Sequence, residues 1–262
     1  MKSASDLAGK VVVISGGAGL IGKGFVKAVV ENGGTAIIAD VDETSGNNVK
    51  VELSTELATD AIEFIKVDIT SKESVRCMID AILDRHQAID ALVNNAYPRN
   101  KNYGRKFEDV TYEDFCENLN LHLGGYFLVS QEISRVMVDQ KRGVIINIAS
   151  IYGFVAPRFE LYENTSFTSP VEYSAIKGGL LSLTKYLASY LGKHDIRVNA
   201  VSPGGVYNNQ SESFVAQYSK KAIVGNRMAE PDDLNGAVVF LISDSSRYVT
   251  GQNIVVDGGW SI

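Results

Sequence analysis

The sequence predicts a doubly wound α/β fold, with helices on both faces of a parallel sheet of seven strands in a single domain. Short apolar runs rich in β-branched residues alternate with amphipathic stretches along the chain, which is the order of strands and helices in parallel sheets. Polar or glycine-containing segments follow most of these runs, at the ends where such folds bind ligands. The 262 residues are enough for one large domain.

The first predicted strand, 11–14, is apolar and leads into a glycine-containing turn and then a helix pattern through Phe25 and Val29. Glycines in such a turn allow the backbone to approach a pyrophosphate, which then sits at the helix N-terminus. A glycine triplet alone is weak, but strand, turn and helix in this order are typical of a Rossmann-type dinucleotide-binding unit. The predicted cofactor contacts of this turn are Gly16, Gly19, Leu20, Ile21 and Gly22.

The second predicted strand, 35–39, ends at Asp40. This acid lies about 20 residues beyond the glycines, where a carboxylate can hold the adenosine ribose hydroxyls. A carboxylate there repels a 2′-phosphate, and neither Arg nor Lys occurs at 41–43. The sequence therefore predicts NAD(H) in preference to NADP(H). The alternative is that Asp40 is a plain turn residue at the end of a strand.

Five further strands are predicted at 61–67, 90–93, 143–148, 197–201 and 253–256, and an amphipathic stretch at 74–85 precedes the fourth strand. The carboxyl ends of parallel strands share one edge of the sheet, so we expect the residues that follow them to face the ligand. These residues are Asp68, Asn94, Asn95, Ala96, Ser150, Pro203, Gly204 and the segment 257–259.

Composition limits the class of protein. The chain is 45% hydrophobic and 21% charged, with a net charge of −6, which disfavours nucleic-acid and membrane surfaces as partners. No window approaches the ~20 apolar residues of a membrane span, and residues 1–10 lack the apolar core of a signal peptide. We expect a cytoplasmic protein.

Cys77 and Cys116 are too few for a disulfide framework or a cysteine-based metal site, and we expect both to be buried; no metal site is predicted.

Tyr173 and Lys177 are four residues apart, so on a helix their side chains lie on one face. A phenol ordinarily loses its proton near pH ~10, and a nearby cation lowers that value. The pair can therefore transfer a proton near neutral pH. Many helices carry a surface Tyr and Lys at this spacing, so the pair alone favours plain surface.

Over essentially its whole length the chain resembles the short-chain dehydrogenase/reductase family in its single-domain form. The motifs that carry the resemblance are the turn 16–22, Asp68, 94–96, Ser150, Tyr173 with Lys177, Asn199, 203–204 and 257–259. The resemblance implies hydride transfer between an alcohol and a ketone, with Tyr173 as general acid/base. It also implies that Lys177 lowers the Tyr173 pKa and holds the nicotinamide ribose, and that Ser150 binds the substrate oxygen. The further cofactor contacts that it implies are Asp68, Ile69, Asn94, Asn95, Ala96, Tyr173, Lys177, Pro203, Gly204 and Val206.

Two departures from the family concern the cofactor turn and the proton relay. The glycine spacing of 16, 19 and 22 is common in the extended, nucleotide-sugar-modifying branch, whose C-terminal substrate domain has no room in this chain. His122 stands where the family has an Asn that helps to hold a relaying water. An imidazole both donates and accepts, so His122 is either a relay residue or a buried histidine in a helix.

A third departure is an insertion at 156–170, which places Ser150 and Tyr173 23 positions apart, more than the family usually has. It is too irregular for a helix. Loops beside catalytic groups often carry specificity, and we expect substrate contacts from Arg158 and Tyr162; the alternative is a padding loop at a subunit contact. A substrate loop is expected near 206–226.

The segment 97–106 contains Arg99, Lys101, Arg105 and Lys106 without an acid, so Arg99 is expected to bind an anionic group, unless the segment is only solvated surface.

The insertion and the segments 120–125 and 203–210 are similar to the flagellin-modification branch of the family, which is linked to sialic-acid-like sugars. This resemblance implies a nucleotide-sugar or sugar-phosphate substrate. Two alternatives stay open: a 3-oxoacyl or secondary-alcohol reductase, and a non-catalytic NAD-binding scaffold. The family also implies a homodimer or homotetramer, and the leucine-rich segment 180–191 carries more apolar surface than one helix face can bury on its own sheet.

Overall fold

The computed structural model describes residues 6–163, 165 and 167–262. Within these residues seven strands form one sheet in the order β3-β2-β1-β4-β5-β6-β7. Every neighbouring pair of strands is parallel. The strands are β1 (Val11–Ser15), β2 (Thr35–Asp40), β3 (Ile62–Lys66), β4 (Ala91–Asn94), β5 (Gly143–Ile148), β6 (Ile196–Pro203) and β7 (Asn253–Val256). The predicted fold class is confirmed.

Eight α-helices lie in the described part of the chain: α1 (Leu20–Glu31), α2 (Glu43–Glu56), α3 (Lys72–His86), α4 (Tyr112–Leu119), α5 (Gly125–Gln140), α6 (Val171–Leu191), α7 (Glu212–Ser219) and α8 (Asn235–Ile242). Asp42 and Ser71 cap α2 and α3 by accepting from the backbone N–H groups of Ser45 and Ser74, which satisfies donors that a helix start leaves unpaired. Between α4 and α5 the chain makes one π-helical turn, Asn120–Gly124.

Two apolar cores cover the faces of the sheet. Val13 and Leu92 belong to the core that packs on α3, α5 and α6. Val12 and Val93 belong to the core that packs on α1, α2 and α8. Successive side chains of a strand point to opposite faces, so strands covered on both sides read as continuous apolar runs in the sequence.

The order of the strands creates a crevice at the carboxyl edge of the sheet. β1 pairs with β2 on one side and with β4 on the other, so the connections after β1 and β4 diverge. Ligands of doubly wound sheets bind at such a switch point. The glycine turn after β1 and the segment 94–96 after β4 therefore meet at the same place.

Cys77 and Cys116 are both exposed, so the prediction that they are buried is wrong. Met78 and Ile79 take the buried positions of α3 beside Cys77, while the buried face of α4 is polar and consists of Asp114 and Asn118. The described part of the insertion 156–170 contains only one short 3₁₀ turn, Phe159–Tyr162; Asn164 and Ser166 lie outside the described residues.

None of the helices in the described ranges combines the length and the hydropathy that a bilayer-spanning helix requires.

Candidate active site

One large cavity of about 1000 Å³ opens at the carboxyl edge of the sheet. Most of the predicted site residues line it: Gly16, Gly19, Leu20, Ile21, Asp40, Asp68, Ile69, Asn95, Ala96, Arg99, Ser150, Tyr162, Tyr173, Lys177, Pro203, Gly204 and Val206. Gly22, Asn94, His122 and Arg158 do not line it and lie behind or beside its wall. The cavity therefore brings residues from the ends of six strands, β1 to β6, and from the N-terminal half of α6 to one site.

The glycine turn depends on the absence of side chains. Gly16 has a φ of +66°, and a Cβ added there would lie 2.6 Å from the Cα atom of Ala96. A Cβ on Gly22 would overlap the Gly16 carbonyl oxygen, so Gly22 serves the packing of the turn. A Cβ added to Gly19 would meet only the Gly16 carbonyl oxygen, at 3.3 Å. The turn thus leaves backbone open to the cavity at the start of α1, which suits a pyrophosphate.

Asp40 lies at the end of β2 and lines the same cavity. Its carboxylate accepts from the backbone N–H groups of Ala18, at 3.1 Å, and Asp42, at 3.2 Å. These bonds fix the carboxylate beside the glycine turn. A fixed carboxylate at this position can accept hydrogen bonds from ribose hydroxyls and repels a phosphate.

Asn94 and Asn95 have different surroundings. The Asn94 side chain is fully buried, and its amide donates to Ser130 Oγ and Asn147 Oδ1, each at 2.9 Å. The Asn95 amide donates to the Gly16 carbonyl at 3.0 Å. Asn94 therefore braces β4 against β5 and α5 from behind the cavity, whereas Asn95 ties the two turns at the switch point together.

Ser150, Tyr173 and Lys177 come together at the wall of the cavity. Lys177 is buried, and its Nζ donates to the Ile148 carbonyl at 2.8 Å and lies 5.4 Å from the centre of the Tyr173 ring. Burial lowers the pKa of Lys177 to about 7. Burial also raises the pKa of Tyr173, and a hydrogen bond from Ser150 opposes that rise. The direction differs from the lowering expected from Lys177, because desolvation of the phenolate has the largest effect here.

His122 lies in the π-helical turn and is 1% exposed. Its Nε2 is 3.5 Å from Lys177 Nζ, and its Nδ1 is buried with no hydrogen-bond partner among the described residues. Burial, with a smaller contribution from the Lys177 charge, lowers the pKa of His122 well below its ordinary value. The imidazole is therefore neutral at physiological pH. π-Helical turns occur often at functional sites.

The substrate side of the cavity holds two of the three predicted substrate residues. The Arg99 guanidinium lies 5.2 Å from the centre of the Tyr97 ring, and Tyr162 packs on Phe167 and Phe214. The third, Arg158, is directed elsewhere. Its guanidinium lies 5.4 Å from the Trp260 ring centre and 4.0 Å from a Glu160 carboxylate oxygen, because the aromatic face of Trp260 and the neighbouring acid attract it.

Several cavity residues were missed by the predictions. Tyr97 directly follows the segment 94–96, and that position was a signal that could have identified it. Tyr152 lies in the short turn that follows Ser150. Asn208, Gln210, Phe214 and Tyr218 lie where only a substrate loop near 206–226 was expected, and Phe214 and Tyr218 are one turn apart on α7; Met228 follows that helix.

Comparisons with known proteins give a consistent result. A family model described as enoyl-(acyl carrier protein) reductase matches residues 16–261. Post-translational flagellin modification protein A of Campylobacter coli is 42% identical over 257 residues, which cover 98% of this chain and 100% of that protein. The 3-oxoacyl-[acyl-carrier-protein] reductase FabG of Chlamydia pneumoniae is 31% identical over 257 residues and 97% of both chains. A crystal structure of a short chain dehydrogenase from Leptospira borgpetersenii serovar Hardjo-bovis with bound NAD+ has a TM-score of 0.87 and 35% identity, covering 100% of this chain and 97% of that one.

The sheet order, the glycine turn and the grouping of Ser150, Tyr173 and Lys177 define an oxidoreductase with a Rossmann-type fold. The matches over nearly the full length then identify the family: the chain belongs to the short-chain dehydrogenase/reductase family. The predicted family and its enzymatic character are confirmed, and the reading as a non-catalytic scaffold is not supported.

Proposed function

We propose that this enzyme interconverts an alcohol and a ketone on an anionic, sugar-like substrate, such as a nucleotide sugar or sugar phosphate, with NAD(H) as cofactor. The observation that carries the substrate proposal is the charge of the cavity. Among its described lining residues, Arg99 and Lys177 are the cations, while the carboxylates, Asp40 and Asp68, lie on the cofactor side. Lys177 is engaged at the proton-transfer site, so Arg99 is the cation that is free to bind a substrate anion.

The cavity suits the cofactor in shape and chemistry. The open backbone of the glycine turn would hold the pyrophosphate, Asp40 the adenosine ribose, and Pro203 and Gly204 the nicotinamide. When bound, a nicotinamide supplies the acceptor or donor of a hydride. Val41, Asp42 and Glu43 follow Asp40 and offer no cation to a 2′-phosphate, which favours NAD(H) over NADP(H).

The protein's own groups would manage the proton of the substrate oxygen. In the oxidative direction the substrate alcohol loses a hydride from its carbon, and its O–H proton passes to the Tyr173 oxygen as the phenol gives up its own proton toward Lys177. Ser150 donates to the substrate oxygen, where charge develops. Lys177 and the neutral His122 then offer nitrogen atoms 3.5 Å apart for passing the proton onward. In this proposal His122 takes the relay position rather than serving as a packed core histidine.

Flagellin modification protein A is 42% identical over its whole length. This similarity supports a sugar-like substrate, because the flagellin-modification branch is linked to sialic-acid-like sugars. The polar amides of Asn208 and Gln210 at the cavity add hydrogen-bonding groups suited to hydroxyls.

The second candidate is a 3-oxoacyl reductase. The similarity to FabG and the aromatic wall of Tyr162 and Phe214 favour it.

We also propose that the enzyme is a homodimer or homotetramer. Tyr186 and Tyr190 stack on the outer face of α6 with ring planes 7° apart. They are 64% and 59% exposed, and exposed aromatic patches of this kind mark contact surfaces. Sedimentation of the purified protein tests the proposal, and a monomer would exclude it.

The substrate proposal is tested by a screen for NADH-linked absorbance change. The panel holds nucleotide sugars, sugar phosphates, acyl thioesters and simple alcohols, each with both NAD(H) and NADP(H). Turnover with a phosphorylated sugar and NAD(H) supports the proposal. Turnover confined to acyl thioesters would select the second candidate.

A further inference from the structure

We propose that Glu172 is a positioning residue that holds the segment 97–106, here called the substrate arm, against the catalytic helix α6. Its carboxylate is fully buried one position before Tyr173. Through Asn118 and Asn100 it is connected to the arm that carries Tyr97 and Arg99. The role of Arg99 in substrate binding rests on the proposed function, whereas the connection itself rests on the contacts below.

The arm places two side chains at the reacting end of the cavity. The Tyr97 ring is edge-on to the rings of Tyr173, at 5.8 Å, and His122, at 5.1 Å. The Arg99 guanidinium lies over the same Tyr97 ring. The Tyr97 hydroxyl is 2.5 Å from the Tyr103 hydroxyl, further along the arm. A shift of the arm would therefore move the anion-binding guanidinium relative to the proton-transfer phenol.

A chain of hydrogen bonds fastens the arm. Asn118 accepts from the Asn100 backbone N–H at 2.9 Å, and its amide donates to Asn100 Oδ1 at 3.3 Å. The same amide donates to Glu172 Oε1 at 3.2 Å. The Asn100 amide in turn donates to the carboxylates of Asp114, at 2.8 Å, and Glu117, at 2.7 Å. Asn118 is fully buried, and its bond to Glu172 is buried as well, so this bond does not compete with solvent.

A stabilising role does not explain why a carboxylate is buried at position 172. A buried carboxylate is costly unless it is well bonded, and Glu172 Oε2 has no hydrogen-bond partner among the described residues. Its position in the first turn of α6 makes the charge tolerable through the helix dipole. What the carboxylate adds is an acceptor that orients the Asn118 amide, and Asn118 holds Asn100 with two hydrogen bonds. The first turn of α6 thus positions both Tyr173 and the substrate arm.

The test uses trypsin, because the arm contains Arg99, Lys101, Arg105 and Lys106. Cleavage within the arm is followed by mass spectrometry for the wild type, Glu172→Leu and Glu172→Gln. Gln140→Leu is the matched control, because it also removes a hydrogen-bonding side chain, here one bonded to the Ile89 backbone. Loss of the acceptor should raise arm cleavage roughly tenfold in Glu172→Leu. Glu172→Gln keeps a carbonyl acceptor and should stay within about twofold of the wild type.

Arm cleavage in Glu172→Leu that matches the wild type or the Gln140→Leu control would overturn the proposal. So would Glu172→Gln behaving like Glu172→Leu. If Glu172→Leu fails to fold, Asn100→Ala breaks the same connection from the arm, and an unchanged cleavage rate there would overturn the proposal. This assay needs no substrate, so it decides the point even if the substrate proposal fails.

A kinetic readout separates positioning from a general structural role. For a compound that turns over in the screen, Glu172→Leu should raise KM roughly tenfold and leave kcat within about threefold. The NADH dissociation constant should not change. A fall in kcat with an unchanged KM would mean that Glu172 acts on Tyr173 and not on the arm, which contradicts the proposal.

Discussion

The Nζ atom of Lys177 lies 3.5 Å from Nε2 of His122, and both groups are buried. The resemblance described above implies an Asn at the position of His122. A neutral imidazole, like an amide, offers one donor and one acceptor. The lowered pKa of His122 keeps the imidazole neutral beside the Lys177 amine, so the pair can exchange a proton without two buried cations.

Substitution of His122 tests this relay. His122→Asn introduces the residue that the resemblance implies, with one donor and one acceptor kept, and should leave kcat within about threefold of the wild type. His122→Leu fills similar space without a polar atom and should lower kcat by roughly 100-fold, the lower end of what a proton-transfer group contributes. Steady-state kinetics and NADH titration measure the two effects. Equal kcat values for His122→Leu and the wild type would show that the histidine is only a packed side chain.

Lys177 makes the stability of the protein depend on pH. Its pKa is about 7 in the folded protein and 10.5 ordinarily, so between these values the unfolded chain binds one more proton. The free energy of unfolding of the wild type therefore rises with pH above 7 as Lys177 loses its proton. Lys177→Met removes the titration. It should be more stable than the wild type by a margin that is constant below pH 7 and shrinks by roughly 2–3 kcal/mol between pH 7 and 9.

Urea unfolding followed by fluorescence of the single tryptophan, Trp260, measures this margin, since that side chain is buried in the folded protein. Groups other than Lys177 titrate in both proteins, so the difference isolates its contribution. A margin that is the same at pH 7 and pH 9 would contradict the depressed pKa.

Asp40 is expected to set the cofactor preference. Asp40→Asn removes the negative charge that repels a 2′-phosphate and keeps the shape of the side chain. The ratio of kcat/KM for NADH to that for NADPH should fall by about tenfold. A wild-type enzyme that already prefers NADPH would refute the cofactor assignment before any variant is made.

Arg99 and Lys101 form a matched pair on the substrate arm, because Arg99 lines the cavity and Lys101 does not. Arg99→Gln should raise the KM for a phosphorylated substrate by about tenfold, since a charge-assisted hydrogen bond is lost. Lys101→Gln changes the net charge equally and should leave KM within about twofold. Equal effects of the two substitutions would indicate general electrostatic attraction in place of a binding contact.

The strands and the turns at their carboxyl ends were predictable because their signals are local. β1 is an apolar run that the glycine turn follows directly, and the alternating strand and helix pattern then determines the sheet. Tyr173 and Lys177 needed only helical spacing to be placed together. These features depend on short-range periodicity and on residue types that a turn demands.

The features that were missed depend on contacts between distant parts of the chain. Arg158 turns away from the cavity because Trp260, near the other end of the chain, lies beside it. Cys116 is exposed because α4 buries Asp114 and Asn118, which bind the substrate arm. A helix with a polar buried face defeats an argument from hydrophobic periodicity.

Tyr173 is the group that we propose transfers the proton of the substrate oxygen. The most direct measurement compares Tyr173→Phe with the wild type in both turnover and NADH titration. Loss of the hydroxyl should lower kcat by at least about 100-fold, while the NADH dissociation constant changes by less than about threefold. Turnover within a few-fold of the wild type would contradict the claim.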